Sequence, residues 1–225
     1  MRYFVSLVLV CVAITAVVGV SATLRVPADY ATIQAAVDAA APGDTILISP
    51  GVYEEAVTIQ DKADLTIKGD VTFTVKETEC CPDIWDEVGK VVIKGPFRIL
   101  DSTGITVEAL TISPHGAFVR GSTASPVEKV TFRYVQIITS YKDGLRFFGV
   151  YKDIEILGCN VSENGWDGIQ LNDWGDGILI DSCCINHNGR TRPTGVGIRV
   201  GPHVKNVVIR ANCLVGNAFA AIHPG

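Results

Sequence analysis

The sequence lacks a basic excess: 19 Lys and Arg stand against 24 Asp and Glu, a formal net charge of -5 over 225 residues. Nucleic-acid-binding domains carry the opposite balance, because their affinity comes largely from displacing counterions from phosphate, so no nucleic acid is expected as a partner. Helical patterning is also scarce. A single segment, 32–41, sets Ile33, Ala36, Val37 and Ala40 on one face at helical spacing before Pro42-Gly43 stops it. A chain with so little helix cannot be an alternating α/β protein. Long apolar runs are confined to the beginning. Residues 1–22 hold a basic residue at position 2, an apolar run over 3–20 and the small-residue pattern Val20-Ser21-Ala22, which together predict a signal peptide. Residues 23–225 are then one mature domain, exported to the medium, the periplasm or the cell surface, with no membrane contact once the leader is gone. The competing reading is an uncleaved anchor, since a run of about 18 residues is near the lower limit for a span.

The remainder of the chain repeats itself. Stretches 130–137, 154–161, 178–185 and 207–214 superimpose without gaps, at offsets of 24, 24 and 29 residues. Three residues beyond each lies Ser140, Asn164, Asn188 or Asn217, and a second short strand then starts at Leu145, Ile169, Ile198 or Ile222. A period in this range marks a solenoid, in which positions one period apart become stacked neighbours. Runs such as 45–48, 65–67, 91–93 and 105–107 are short, β-branched and bounded by turn residues, which makes them strands. Without Cys11 of the leader, six cysteines remain. Cys159 and Cys183 fall in one column and Cys184 and Cys213 in the next, so two bridges, Cys159–Cys183 and Cys184–Cys213, fit the spacing of stacked strands, the alternative being free thiols that fill the core. Cys80 and Cys81 are adjacent, in a stretch (76–90) that breaks the strand rhythm and carries Glu77, Glu79, Asp83, Asp86, Glu87 and Trp85. Such an interruption reads foremost as an acidic solvated loop pinned by a cysteine pair, the alternatives being a segment that binds a cation or covers a groove.

The segments Val26-Pro27-Ala28-Asp29-Tyr30-Ala31-Thr32-Ile33-Gln34-Ala35-Ala36-Val37, Pro42-Gly43-Asp44-Thr45-Ile46 and Pro50-Gly51-Val52-Tyr53-Glu54-Glu55 resemble the entry segment of right-handed parallel β-helix proteins of the pectin-lyase-like superfamily. With the repeats, the resemblance spans nearly the whole mature chain. It implies an all-β, right-handed parallel β-helix solenoid with a short N-terminal capping α-helix, and it makes Asn164, Asn188 and Asn217 an internal asparagine ladder. It also implies a link to carbohydrate, although this fold hosts lyases, hydrolases, esterases, epimerases, adhesins and accessory proteins. The paired-aspartate and arginine motifs of pectin methylesterases, the stacked aspartates of polygalacturonase-like hydrolases and the Asp-Pro-His-Asp run of alginate epimerases are all missing from the sequence.

Alternation supplies the candidate site. If Leu145, Ile169, Ile198 and Ile222 point inward, then Arg146, Gln170, Arg199 and His223 form one outward line. Cationic donors about one rung apart match the carboxylates of an extended polyuronate, and guanidinium groups suit carboxylates. Lys142, Trp166 and Phe219 align just before this line, with Arg190 and Arg192 in a five-residue insertion at the same turn; these are candidate sugar contacts. Asp143 and Asp167 align as a candidate calcium pair. Were the line catalytic, β-elimination would fit, with Arg146 or Arg199 as base or carboxylate clamp and His223 as proton carrier. Two readings therefore stand: a polysaccharide lyase acting on acidic glycans, or a non-catalytic surface module that binds carbohydrate or protein. The last coil carries no covering segment, which is expected either of a β-helix domain truncated at its C-terminal end, the sequence being a fragment of a longer one, or of an edge left for self-association or a partner chain.

Overall fold

Apolar residues recur along the chain at strand alternation and one-coil spacing, and the chain buries them by winding into a parallel β-helix. The structure, a computed structural model, describes residues 21–75, 81 and 84–224. The leader assigned to 1–22 lies outside the described residues except for its last two positions, as do Cys80 and the acidic residues Glu77, Glu79 and Asp83. Every strand pair is parallel. Among the described residues three sheets, here A, B and C, run along the solenoid, and each coil from Thr45 onward contributes a strand or bridge to each.

Sheet A shows why the stacking is stable. Ile46, Ile67, Val107, Phe132, Ile156, Ile180 and Ile209 lie in one register column. The first six are fully buried. Burying each such side chain is worth about 1.5–3 kcal/mol, and stacking identical shapes keeps their rotamers compatible from coil to coil. The repeats pair as their alignment requires: Val130 with Ile154, Ile154 with Ile178 and Ile178 with Val207. In sheet C, Leu145 pairs with Ile169, Ile169 with Ile198 and Ile198 with Ile222. The strand Leu145–Leu157 serves both sheets, turning from C to A at Gly149, whose φ of 70° lies in the left-handed region.

The asparagine ladder is present at the turn between sheets B and C. Asn188 Oδ1 accepts from the Asn164 backbone N–H (3.1 Å) and side-chain amide (2.9 Å), and Asn217 Oδ1 accepts likewise from Asn188. The amide groups of Asn164, Asn188 and Asn217 also donate to the carbonyls of Ile137, Val161 and Ile185. The ladder explains the glycines that precede the sheet C strands. A Cβ on Gly144 would stand 2.6 Å from Asn164 Nδ2, and one on Gly168 would stand 2.7 Å from Asn188 Nδ2.

The helix forms over Ile33–Ala39, with the Thr32 hydroxyl capping its first turn and Ile33, Ala36 and Val37 buried. It packs on the strands Thr23–Val26, Thr45–Ile48 and Val57–Gln60.

The cysteine pairings expected from the sequence are not those formed. Cys159 and Cys183 are free and fully buried, as expected of stacked neighbours, but their sulfurs donate to the Phe132 and Ile156 carbonyls of the preceding coil. Parallel stacking aims both side chains the same way, so each sulfur meets backbone rather than its neighbour. Burial pushes the Cys183 thiol well up. Cys184 and Cys213 do bridge through their backbones, yet the Cys184 sulfur is bonded to Cys81, 103 residues away. Alternation is the reason: with Cys183 inward, Cys184 faces out of sheet B. There the segment around the short helix Trp85–Val88 returns across the coils, burying Ile84 and Val88 and accepting a hydrogen bond from Thr111 at the Val88 carbonyl. The middle coils of sheet B are therefore covered from outside, while Val52 in its first strand remains exposed. Replacing Cys81 with Ser is expected to lower unfolding free energy by about 2–5 kcal/mol, because the crosslink closes a long loop in the unfolded chain; chemical denaturation of the variant beside the wild type, without reductant, measures it.

Candidate functional site

Sheet C carries the predicted line of outward residues. Arg146 pairs in register with Gln170, Gln170 with Arg199, and Arg199 with His223. Sequence alternation thus placed all four on one face. Towards the N-terminus the same column continues through Phe118 and Arg98, and the column two residues along holds Arg120 and Phe148.

The two aspartates lie beneath this line, and they differ. Asp167 is fully enclosed: Arg199 Nε and Nη2 reach Oδ2 and Oδ1 at 2.5 and 3.0 Å, and the Val196 N–H adds a bond to Oδ1 at 2.9 Å. This two-point contact raises the Arg199 pKa further above its ordinary value. Asp143 Oδ1 accepts from the Asp167 N–H at 3.1 Å, while Oδ2 has no hydrogen bond and stands 3.5 Å from Arg146 Nε. Burial pushes the Asp143 carboxyl above the ordinary aspartate value of 3.8; the Asp167 N–H lowers it, the Asp167 charge raises it, and Arg146 and Arg192 lower it.

The sign of that shift gives a prediction. A carboxyl that is harder to ionise folded than unfolded contributes stability at low pH that is lost as pH rises from the ordinary value through the folded one. Asp143→Asn should therefore remove a downward component of the stability profile that begins near pH 4, read as the difference between variant and wild-type denaturation curves across the acid range.

These contacts bear on the expected roles. Calcium binds six to eight oxygens, but three of the four carboxylate oxygens of Asp143 and Asp167 are taken by N–H donors, and the fourth faces a guanidinium. The donor set does not fit a calcium ion, and among the described residues no group of three or more His, Cys, Asp or Glu side chains is gathered for a metal. Arg199 is committed to Asp167 and so is poorly suited as a base. Trp166 has cations over its ring, Lys142 Nζ and the Arg192 guanidinium each 5.3 Å from the centroid. The indole thus anchors the insertion across the turn, with Arg190 paired to Glu163 at 3.3 Å, instead of offering an open face to sugar. Phe219 is 60% exposed with its ring 5.7 Å from His223.

What remains open is a set of unsatisfied polar atoms. Arg146 Nε, Gln170 Oε1, His223 Nδ1 and Asp143 Oδ2 are buried without hydrogen-bond partners, all on or beside one column. Sheet A offers a contrast. Its outer face bounds an open groove of about 630 Å3 past Thr131, Glu155, Leu179 and Val208, and several of its charges are paired: Glu108 takes Lys68 at 2.9 Å and Arg133 at 2.6 Å, Asp181 takes Arg210 at 2.8 Å, and Glu128 takes Lys152 at 3.1 Å.

Sequence reasoning missed the cleft beside this line. A depression of about 530 Å3 is lined by Phe118, Arg120, Arg146, Phe148 and Asp173, over a floor that includes Gly121 and Gly149. The signal was available, since Phe118 and Arg120 repeat the alternation of Arg146 and Phe148, but the first pair sits in a coil of different length from the four aligned stretches.

Among the described residues no helix is long and apolar enough to cross a membrane. That fact and the disulfide Cys81–Cys184 are compatible with an extracellular location. Comparison with curated proteins gives no significant match. A family model described as the right-handed β-helix region matches residues 97–224, which cover sheet C from Phe97 through the whole candidate line. More than half of the sequence fits that model, in agreement with the parallel coils, and the chain belongs to the right-handed β-helix family.

Proposed function

We propose that the protein is an exported β-helix module that binds an acidic, uronate-containing polysaccharide along the outer face of sheet C. The observation that carries the reading is the contrast between faces: the middle coils of sheet B are covered, sheet A carries charges of both signs, several of them paired, and the column Arg146, Gln170, Arg199, His223 is cationic and polar, with the Arg146 side chain one-third exposed. Arg146 is the group best suited to grip a carboxylate. Its side chain is one-third exposed, and its ion pair with Asp143, at 3.5 Å, is not closed into a hydrogen bond. Arg199 and the buried Asp167 act as positioning residues that hold the turn and its insertion in place.

The geometry favours binding over elimination. Removing a carbon-bound proton needs a deprotonated base, whereas a guanidinium keeps its proton at any ordinary pH, and at Arg199 the bonded Asp167 carboxylate stabilises the charged form further. Retention on immobilised polygalacturonate tests the proposal: wild type is held at low salt and released as salt rises, and Arg146→Ala weakens the interaction about tenfold, equivalent to about 1.4 kcal/mol. A rise in ultraviolet absorbance from unsaturated products that Arg146→Ala abolishes would replace this reading with the lyase one. No retention on any acidic polymer would remove both.

A further inference from the structure

Beside the proposed polymer-binding column, Phe118, Arg120, Arg146 and Phe148 form a four-residue checkerboard. Phe118 stacks in register on Arg146 and Arg120 on Phe148, so each ring has a guanidinium as its neighbour across the coils. The rings are 5.6 Å apart and tilted by 39°, and the Arg146 guanidinium lies 4.1 Å from the Phe148 centroid. Phe148 is thus partly covered by a cation, while half-buried Phe118 faces the cleft. Arg120 is exposed and has no side-chain hydrogen bond or ion pair among the described residues. The opposite rim is Asp173, which holds the corner by accepting from the Gly149 N–H at 2.9 Å. The floor includes Gly121 and Gly149, packed so closely on neighbouring backbone that a Cβ on Gly149 would stand 1.9 Å from the Gly121 carbonyl oxygen, and neither glycine puts a side chain into the cleft.

We propose that this cleft is a discrete subsite for one acidic sugar residue, its carboxylate held between Arg120 and Arg146, its apolar ring face on Phe118, and a hydroxyl directed to Asp173. The inference rests on the polysaccharide reading and deepens it, by placing an end-on residue in a site separate from Gln170 and Arg199. The chemistry selects this ligand class. Two guanidiniums flanking a cleft need a compact anion, an aromatic face needs an apolar plane, and a carboxylate at the rim rejects a second anionic group while accepting a hydroxyl proton. A neutral sugar leaves Arg120 unanswered; a free inorganic anion leaves Phe118 unanswered.

Titration of the whole protein with trigalacturonate, with its fully methyl-esterified form and with inorganic phosphate tests this by calorimetry and by the amide resonances of Gly121 and Gly149. The expected result is that trigalacturonate moves both glycine resonances, that the ester binds at least tenfold more weakly, that phosphate alone leaves the resonances in place, and that Arg120→Ala loses about tenfold in affinity. Arg120 is exposed, and its removal should leave the denaturation midpoint unchanged. If Gln170→Ala weakens trigalacturonate while Arg120→Ala does not, or if the glycine resonances stay fixed as the oligomer binds, the subsite is wrong and the column reading survives. Equal affinity for acid and ester, or phosphate reproducing the shifts, overturns the subsite, and absence of all binding overturns both.

Discussion

Asp167→Ala should lower the unfolding free energy by about 3–5 kcal/mol, among the largest losses expected from a single change in this molecule. The carboxylate is fully enclosed and answers three N–H donors, two from Arg199 and one from Val196. Deleting it strands a guanidinium whose side chain is 20% exposed, and an uncompensated, largely buried charge costs far more than an ion pair gains when both members are present. The neighbouring aspartate provides the control. Asp143→Ala removes one hydrogen bond, to the Asp167 N–H, and relieves an oxygen that has no partner, so it should cost only about 1 kcal/mol. The double variant Asp167→Ala/Arg199→Met should recover part of the loss, because the stranded charge goes with its partner. Chemical denaturation of the four proteins measures the set; a loss below about 1 kcal/mol for Asp167→Ala would mean that Arg199 finds water or another carboxylate.

Asn188→Leu is expected to cost about 3 kcal/mol or more. The side chain is close in volume, so packing is nearly preserved and the effect isolates hydrogen bonding. Asn188 accepts from the Asn164 backbone and amide and donates to the Val161 carbonyl and Asn217. Its removal leaves the buried Asn164 N–H and Val161 carbonyl unanswered, each worth about 1–3 kcal/mol. Asn217 is only half-buried, so Asn217→Leu should cost less, water replacing part of what is lost. Equal losses at the two positions in denaturation would contradict a ladder whose value depends on exclusion of solvent.

The fold was legible in the sequence because each coil spells out its own register. Stacked Ile and Val columns require the same residue class at each repeat, and that requirement left the offsets of 24, 24 and 29 residues on the page. Ladder asparagines were legible for the same reason, as was the outward line from Arg146 to His223. Other features depend on contacts that no period encodes. The Cys81–Cys184 bond joins positions 103 apart through a segment that leaves the repeat and crosses it from outside. Periodicity puts Cys184 beside Cys213 but says nothing of what lies over the sheet. Aspartates in Asp-Gly turns read as calcium ligands until the arginine of the next coil is seen to reach one of them, and Trp166 reads as a sugar platform until Lys142 and Arg192 are found over its ring. The Phe118 cleft and Asp173 lay outside the aligned coils or at a corner that alternation left without a role.

A crystal structure of the protein grown with an oligogalacturonide tests the central claim most directly. Sugar density is expected on the outer face of sheet C, with a carboxylate against Arg146 and further contacts running from the Phe118 cleft towards Gln170. Density in the groove over Thr131, Glu155 and Leu179 of sheet A, with sheet C left bare, would contradict it.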